Sequence, residues 1–205
     1  MLRVGLTGGV ACGKSTVGAM LAEHGAHYLK ADALAHQLYA LGEPTYHAVV
    51  EHFGRDILNP DGTINRARLA NIAFPSRISE LNAIVHPAVI EAQNRWMAEV
   101  ERKAPDGVAV VEAALIIEAG AAKDFGKLIV VTCDFEQKVA RYAQRAKISA
   151  AAAREEVVRR SAAQLSDEEK ASRADYVIDN SGSLENTIWQ IDAVWAELRK
   201  GSTTC

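Results

Sequence analysis

Residues 5–16, GLTGGVACGKST, constrain this chain more than any other stretch. Gly8-x-x-x-x-Gly13-Lys14-Ser15 fits the phosphate-loop spacing in full. Glycines let the backbone curl until successive N–H groups face inward as an anion nest, and a following helix aims its positive end at the same charge. Lys14 is placed to reach the β- and γ-phosphates, and the Ser15 hydroxyl suits a Mg²⁺ ion. Gly9, Val10, Ala11, Cys12 and Thr16 complete the loop through their backbone.

The flanks agree with the loop. LRVGLT (2–7) is an apolar run ending in glycine, the pattern of a buried parallel strand. KSTVGAMLAEHG (14–25) spaces Val17, Met20 and Leu21 as a helix does, with Gly25 as its stop. AHYLKAD (26–32) then reads as a second strand, closing a βαβ unit. Later apolar runs at 108–113, 127–134 and 174–180 are further strands, with helical patterns at 135–147, 150–164 and 184–199 between and after them. Such alternation predicts an α/β fold, a parallel sheet flanked by helices.

Between the second and third strands, residues 33–104 carry helical patterns only. ALAHQLYAL and EPTYHAVVEHFG are two of these helices, the second with Pro44 near its first turn. NPDGT (59–63) is a turn, followed by RARLANIAF and ISELNAIV, with His86-Pro87 breaking the pattern before a long helix to about Lys103. This block is an inserted helical subdomain. SAAAAREEVVRRSAAQ (149–164) has a thin apolar stripe and reads as a mobile, exposed element.

Composition narrows the function classes. At net charge −3, with Lys and Arg dispersed, the chain shows no polyanion-binding surface, so nucleic acid is not an expected partner. Three widely spaced cysteines, Cys12, Cys133 and Cys205, fit a reducing compartment and no disulfide framework. Neither a signal peptide nor a membrane span is expected.

A phosphate loop alone does not separate switches, motors and kinases. The Asn-Lys-x-Asp guanine reader of a GTPase is absent, and Asp179-x-x-Gly182 lies too far along the chain to serve as a switch. A motor would want a larger chain. A helical insert and a basic, lid-like helix suit a small-molecule kinase, which closes over ATP to exclude water.

Several side chains are candidates beside the loop. Asp32, read at the end of the second strand, either orients an attacking hydroxyl or caps the next helix. Arg141 and Arg145 share a helix face four residues apart, either clamping ATP phosphates or forming a solvated basic face. Arg159 and Arg160 carry the same two readings. Glu112, ending a buried strand, either holds a Mg²⁺-bound water or serves in a cap or ion pair. At Cys12 the helix end and Lys14 would favour a thiolate, giving an alkylatable residue; the plainer reading is a small side chain that fits.

The order of GLTGGVACGKST, ADALAHQLYALGEPTYHAVVEHFG, DGTINRARLANIAF, LNAIVHP, LIIEAG, QKVARYAQR and EEKASRADYVIDNSG resembles the dephospho-CoA kinase family over about residues 2–199. That resemblance implies a P-loop fold like that of nucleoside-monophosphate kinases. The single domain would have its core at about 1–30, 105–145 and 166–205, a helical substrate subdomain at about 31–104 and a lid at about 146–165. It implies transfer of the ATP γ-phosphoryl to the ribose 3′-hydroxyl of dephospho-CoA, with ATP and Mg²⁺ required. Gly8 to Thr16 and Arg145 would bind ATP, Ser15 would hold Mg²⁺, and Asp32, Lys14 and Arg141 would be catalytic. The expectations that accompany it are a cytoplasmic monomer or weak homo-oligomer with a small-molecule substrate and no nucleic-acid or membrane partner.

The sequence departs from the family pattern at Lys30, His36, Ala146 and in EAALIIE (112–118), where Glu112 stands for an aspartate and Ala114 for a proline. The competing readings are another P-loop metabolite or nucleoside-monophosphate kinase, or a nucleotide-binding regulator without turnover.

Overall fold

The computed structural model describes residues 1–73 and 76–202, apart from the side chains of His36, Gly201 and Ser202. Five strands form one sheet among the described residues: β1 (Leu2–Gly8), β2 (His27–Lys30), β3 (Val108–Glu112), β4 (Lys127–Thr132) and β5 (Tyr176–Asp179). Their order is β2-β3-β1-β4-β5, and every pairing is parallel. β1 is therefore central, with Leu6 opposite Glu112 on one side and Ile129 on the other.

Strands covered on both faces need apolar residues at every position, which is why the apolar runs marked them. Val4, Leu6, Val108, Val110, Ile129, Val131 and Ile178 are buried with Val17 and Leu21 of α1 (Lys14–Glu23) and Ile191, Val194 and Leu198 of a C-terminal helix. Each fully buried aliphatic side chain contributes about 1.5–3 kcal/mol before entropy is counted.

The chain divides into two compact units, one made of residues 1–30 and the chain from Val100 onward, the other of Ala31–Glu99. The second unit holds α2 (Ala31–Leu38), α3 (Pro44–Phe53), α4 (Arg66–Ala73) and most of α5 (Ile78–Lys103). Its own core is Tyr46, Val49, Phe53, Ile57, Ile64, Leu69, Ala73 and Val85. Pro44 takes the first turn of α3, where its missing N–H costs nothing. In the expected turn, Asn59 N donates to Thr63 O at 2.8 Å. The division falls within α5, whose last turn joins the sheet unit through Arg3 Nη2 donating to Glu101 Oε2 at 3.2 Å. Phe74, expected at the end of the 66–74 helix, lies outside the described residues.

Three local expectations need correction. His86-Pro87 does not break a helix: α5 runs through Pro87, and His86 is exposed. A proline removes one backbone bond and crowds the turn before it, a cost of about 3 kcal/mol that a long helix with packed turns on both sides can absorb. Residues 150–164 do not form a fully exposed element. Their helix, α7 (Ala150–Ser161), buries Ala153 and Val157 against Val139 and Tyr142 of α6 (Phe135–Ala146) and against Val10 of the loop. Two small residues suffice as a stripe because they let the helices approach closely. Finally, the short helix α8 (Asp167–Ala171) precedes β5 where none was expected, opened by a capping box between Ser166 and Glu169. The C-terminal helix is α9 (Leu184–Ser202).

Candidate active site

The loop between β1 and α1 has the shape that its glycines allow. Gly13 sits at φ +91°, where a Cβ would lie 2.1 Å from Asn180 Nδ2, and a Cβ on Gly8 would lie 2.2 Å from the Val131 carbonyl oxygen. Both positions exclude any side chain. Ala11 takes a left-handed φ of 57°, a strained conformation that only a well-braced loop retains. Lys14 Nζ donates to Gly8 O at 3.0 Å and Gly9 O at 2.8 Å, which ties the ammonium across the loop.

The bracing comes from residues far away in sequence. Asn180, buried just after β5, donates from Nδ2 to Cys12 O at 2.8 Å, and its own Oδ1 accepts from Thr187 Oγ1 at 3.0 Å. Arg141 donates from Nη2 to Asn180 O at 2.9 Å and reaches Cys12 O with Nη1 at 3.4 Å. Thus the structure brings Arg141 to the loop. Arg145 is exposed and lies over the Tyr142 ring at 5.2 Å, sharing that ring with Arg160 at 5.5 Å. Arg159 and Arg160 pair with Glu156 at 2.8 and 3.2 Å, and these two arginines hold the Glu156 carboxyl down at about 2.

Cys12 does not have the electrostatics of a reactive thiol. It is fully buried, and burial first, then the Asp167 charge, pushes its thiol up to about 11 despite Lys138 and Lys14 nearby. The helix end could not offset desolvation, so the small-residue reading holds. Beneath Gly9, Lys138 Nζ meets Asp167 Oδ2 at 2.5 Å; a Cβ on Gly9 would fall 2.6 Å from Asp167 Oδ1. Burial works against the charge on Lys138, but the bond to Asp167 and the neighbouring groups raise its proton affinity overall. A cavity of about 560 Å³ opens beside this pair, lined by Gly9, Cys133, Phe135, Lys138, Asp167 and Glu168 among others.

At the other end of the loop, Ser15 Oγ donates to Glu112, 2.9 Å from Oε1 and 3.1 Å from Oε2. Tyr28 OH donates to Glu112 Oε2 as well. Magnesium takes hard oxygen ligands and keeps much of its water. The donor set fits it: Ser15 gives its proton to Glu112, which leaves the hydroxyl lone pairs available, and the carboxylate can accept from a metal-bound water. Among the described residues no group of three or more His, Cys, Asp and Glu side chains could hold a metal alone. An ion here would share its shell with phosphate oxygens.

Asp32 is neither the last residue of β2 nor a cap. It lies in the first turn of α2, exposed, with no side-chain partner among the described residues. The N-terminal end of a helix favours its negative charge. Lys30 lies 5.7 Å from the Tyr28 ring centroid. Ala114, standing for a proline, acts through its carbonyl, which accepts from Thr7 Oγ1 at 3.1 Å and from fully buried Lys170 at 3.2 Å. Lys170 also pairs with Glu118 at 3.0 Å. The departure at His36 lies outside the described side chains.

Sequence reasoning missed Lys138, Asp167, Lys170, Asn180 and Tyr28. Asn180 and Lys170 fall within the quoted segment EEKASRADYVIDNSG and Lys138 within QKVARYAQR, but no role was read for any of them.

The model of the dephospho-CoA kinase family matches residues 2–186. The chain belongs to the dephospho-CoA kinase family. A dephospho-CoA kinase of Geobacter metallireducens is 43% identical over 96% of this chain and 96% of its own. That of Syntrophus aciditrophicus is 39% identical over 98% of this chain and 84% of its own. The solved dephospho-CoA kinase from Campylobacter jejuni superposes with a TM-score of 0.63 at 25% identity, covering 97% of this chain and 98% of that one. Family membership makes this chain a kinase that phosphorylates dephospho-CoA with ATP. No helix among the described residues is long and apolar enough to cross a membrane.

Proposed function

We propose that the chain transfers the γ-phosphoryl of ATP to the ribose 3′-hydroxyl of dephospho-CoA, releasing ADP and CoA, through the residues Asp32, Lys14 and Arg141. The single observation that carries the nucleotide half is the loop braced by Asn180 and Arg141 at Cys12 O, with Lys14 across its mouth. Family membership carries the acceptor half.

The backbone N–H groups of Gly8 to Thr16 hold the triphosphate, and Lys14 neutralises charge between its β- and γ-phosphates. Arg141 adds positive charge at the loop wall, and Arg145 joins it from the lid side. Ser15 would hold magnesium directly and Glu112 through a water, and the ion would supply positive charge against the triphosphate. The 3′-oxygen forms a bond to the γ-phosphorus as the bond to the β,γ-bridging oxygen breaks. Because that transition state is loose, Asp32 contributes more by aiming the hydroxyl than by removing its proton, which passes to the carboxylate late or to water. The lid at about 146–165 excludes water from this step, and the helical region at about 31–104 takes the acceptor. We place the protein in the cytoplasm as a monomer or weak homo-oligomer.

The test is ADP release with Mg²⁺ and ATP, with and without dephospho-CoA, and the mass of the product. Gain of one phosphate on dephospho-CoA, mapped to the 3′ position, is expected. Turnover with another acceptor and none with dephospho-CoA would overturn the proposal.

A further inference from the structure

Glu112 receives two hydroxyl donors that come from opposite ends of the βαβ unit. Ser15 belongs to the loop itself, at 2.9 Å and 3.1 Å from the two carboxylate oxygens. Tyr28 lies on β2 and donates to Oε2. The strand register explains how this is possible. β2 and β3 pair in parallel with Tyr28 opposite Val110 and Lys30 opposite Glu112. In-register residues share a sheet face, so Tyr28 and Glu112 point to the same side and the phenol must lean along the strand to reach the carboxylate.

The helix that follows the loop makes room for that lean. At Gly18 of α1, a Cβ would lie 2.4 Å from two atoms of the Tyr28 ring and 2.6 Å from its hydroxyl oxygen. Gly18 is therefore the seat of the ring, and Tyr28 is wedged between α1 and β3. The phenol meets the carboxylate as a hydrogen-bond donor. A glutamate carries one more rotatable bond than an aspartate. Here a rigid phenol from one side and the loop hydroxyl from the other fix that bond.

We propose that Tyr28 is a positioning residue for the magnesium-bearing end of the site: its phenol holds Glu112 so that Ser15 and the water shell of a Mg²⁺·ATP complex meet a carboxylate already in place. This rests on the role proposed above for Ser15 and Glu112. A residue that only fills space would leave the response to magnesium untouched, whereas a positioning residue changes it through Glu112.

The test is calorimetric binding of a non-hydrolysable ATP analogue over a Mg²⁺ titration, for the parent, Tyr28→Phe, Glu112→Gln and the double variant. Losing an outer partner of a metal site weakens metal binding about 10-fold or more. Tyr28→Phe is expected to raise the Mg²⁺ concentration for half-maximal binding about 10-fold. In turnover, the half-saturating Mg²⁺ should rise by more than kcat falls. In the Glu112→Gln background the same change should add nothing. An unaltered Mg²⁺ response in Tyr28→Phe, or a full shift that persists without Glu112, overturns the proposal. Should Tyr28→Phe fail to fold, Glu112→Asp draws the carboxylate away from the phenol by one methylene with Tyr28 intact. The same rise in half-saturating Mg²⁺ supports the proposal, and a parental response overturns it. Because binding is read without an acceptor, a parent that binds Mg²⁺·ATP but never phosphorylates dephospho-CoA would sink the proposed function and leave this outcome legible.

Discussion

In the sheet unit, polar groups around the phosphate loop are tied to partners remote in sequence: Asn180 to Cys12 O, Lys170 to Ala114 O and Glu118, Lys138 to Asp167. In the helical unit the bonds stay within that block, such as Tyr46 OH closing on Gly62 O at 2.7 Å and His52 Nε2 meeting Glu80 Oε2 at 2.6 Å, and the candidate catalytic carboxylate of Asp32 has no partner among the described residues. Under the proposed mechanism the difference separates two tasks. Holding a triphosphate calls for donors fixed before the ligand arrives, since preorganised dipoles spend no energy reorienting during transfer. Aiming one hydroxyl needs a carboxylate in reach of the substrate, and only the substrate need be its partner.

The comparison can be broken most sharply at Asp32. Asp32→Asn should lower kcat about 10²-fold or more, the scale of a positioned acid–base group, while calorimetric ATP affinity stays within about 2-fold. Equal losses in both would mean that Asp32 belongs to the nucleotide site and that the division is wrong. The next test is alkaline stability. The folded Cys12 thiol titrates at about 11 against an ordinary 9.0, so the folded chain holds that proton more tightly. Its stabilisation is complete below about pH 9 and is lost as pH rises through 11. Two pH units correspond to about 2–3 kcal/mol. Denaturant midpoints should show that decline in the parent and a flatter profile in Cys12→Ala.

Smaller effects sharpen the contrast. Asn180→Ala strips the shorter bond from Cys12 O and leaves Thr187 Oγ1 only the longer bond to Ser183 O at 3.3 Å, at a cost of about 1–3 kcal/mol. ATP affinity should fall with it. Tyr46→Phe in the helical unit should cost about 1 kcal/mol, seen as a lower Tm, with ATP affinity unmoved. If Tyr46→Phe weakened ATP binding as Asn180→Ala does, the two units would not be energetically separate.

How much of this could be read from the chain depends on how far apart the deciding residues lie. The inner strands announced themselves because a sheet covered on both faces leaves few polar positions, and the loop because its glycines, lysine and serine lie close together. The capping box of α8 was written in the letters Ser166-x-x-Glu169, but a five-residue helix has no apolar period to draw attention to it. Pro87 argued for a break that packing on either side of it overrode. Asp32 looked like a strand end since AHYLKAD alternates plausibly, whereas α2 begins one residue earlier, at Ala31. Tyr28 and Glu112, or Lys138 and Asp167, meet only once strand order and helix docking are known. No spacing in one sequence carries that information. Cys12 shows a different failure: a helix end and a lysine were weighed, but burial, the larger effect, was not visible.

The central position of β1 has a consequence for how the protein comes into being on the ribosome. The strand that carries the loop has both of its neighbours, β3 at Val108–Glu112 and β4 at Lys127–Thr132, encoded far downstream. A nascent chain therefore exposes the loop residues long before it can present a sheet for them to stand on. Asn180, which braces the loop, emerges later still. Nucleotide cannot assist folding early in synthesis. It can act as a final clasp, capturing the sheet only after nearly the whole chain has left the exit tunnel.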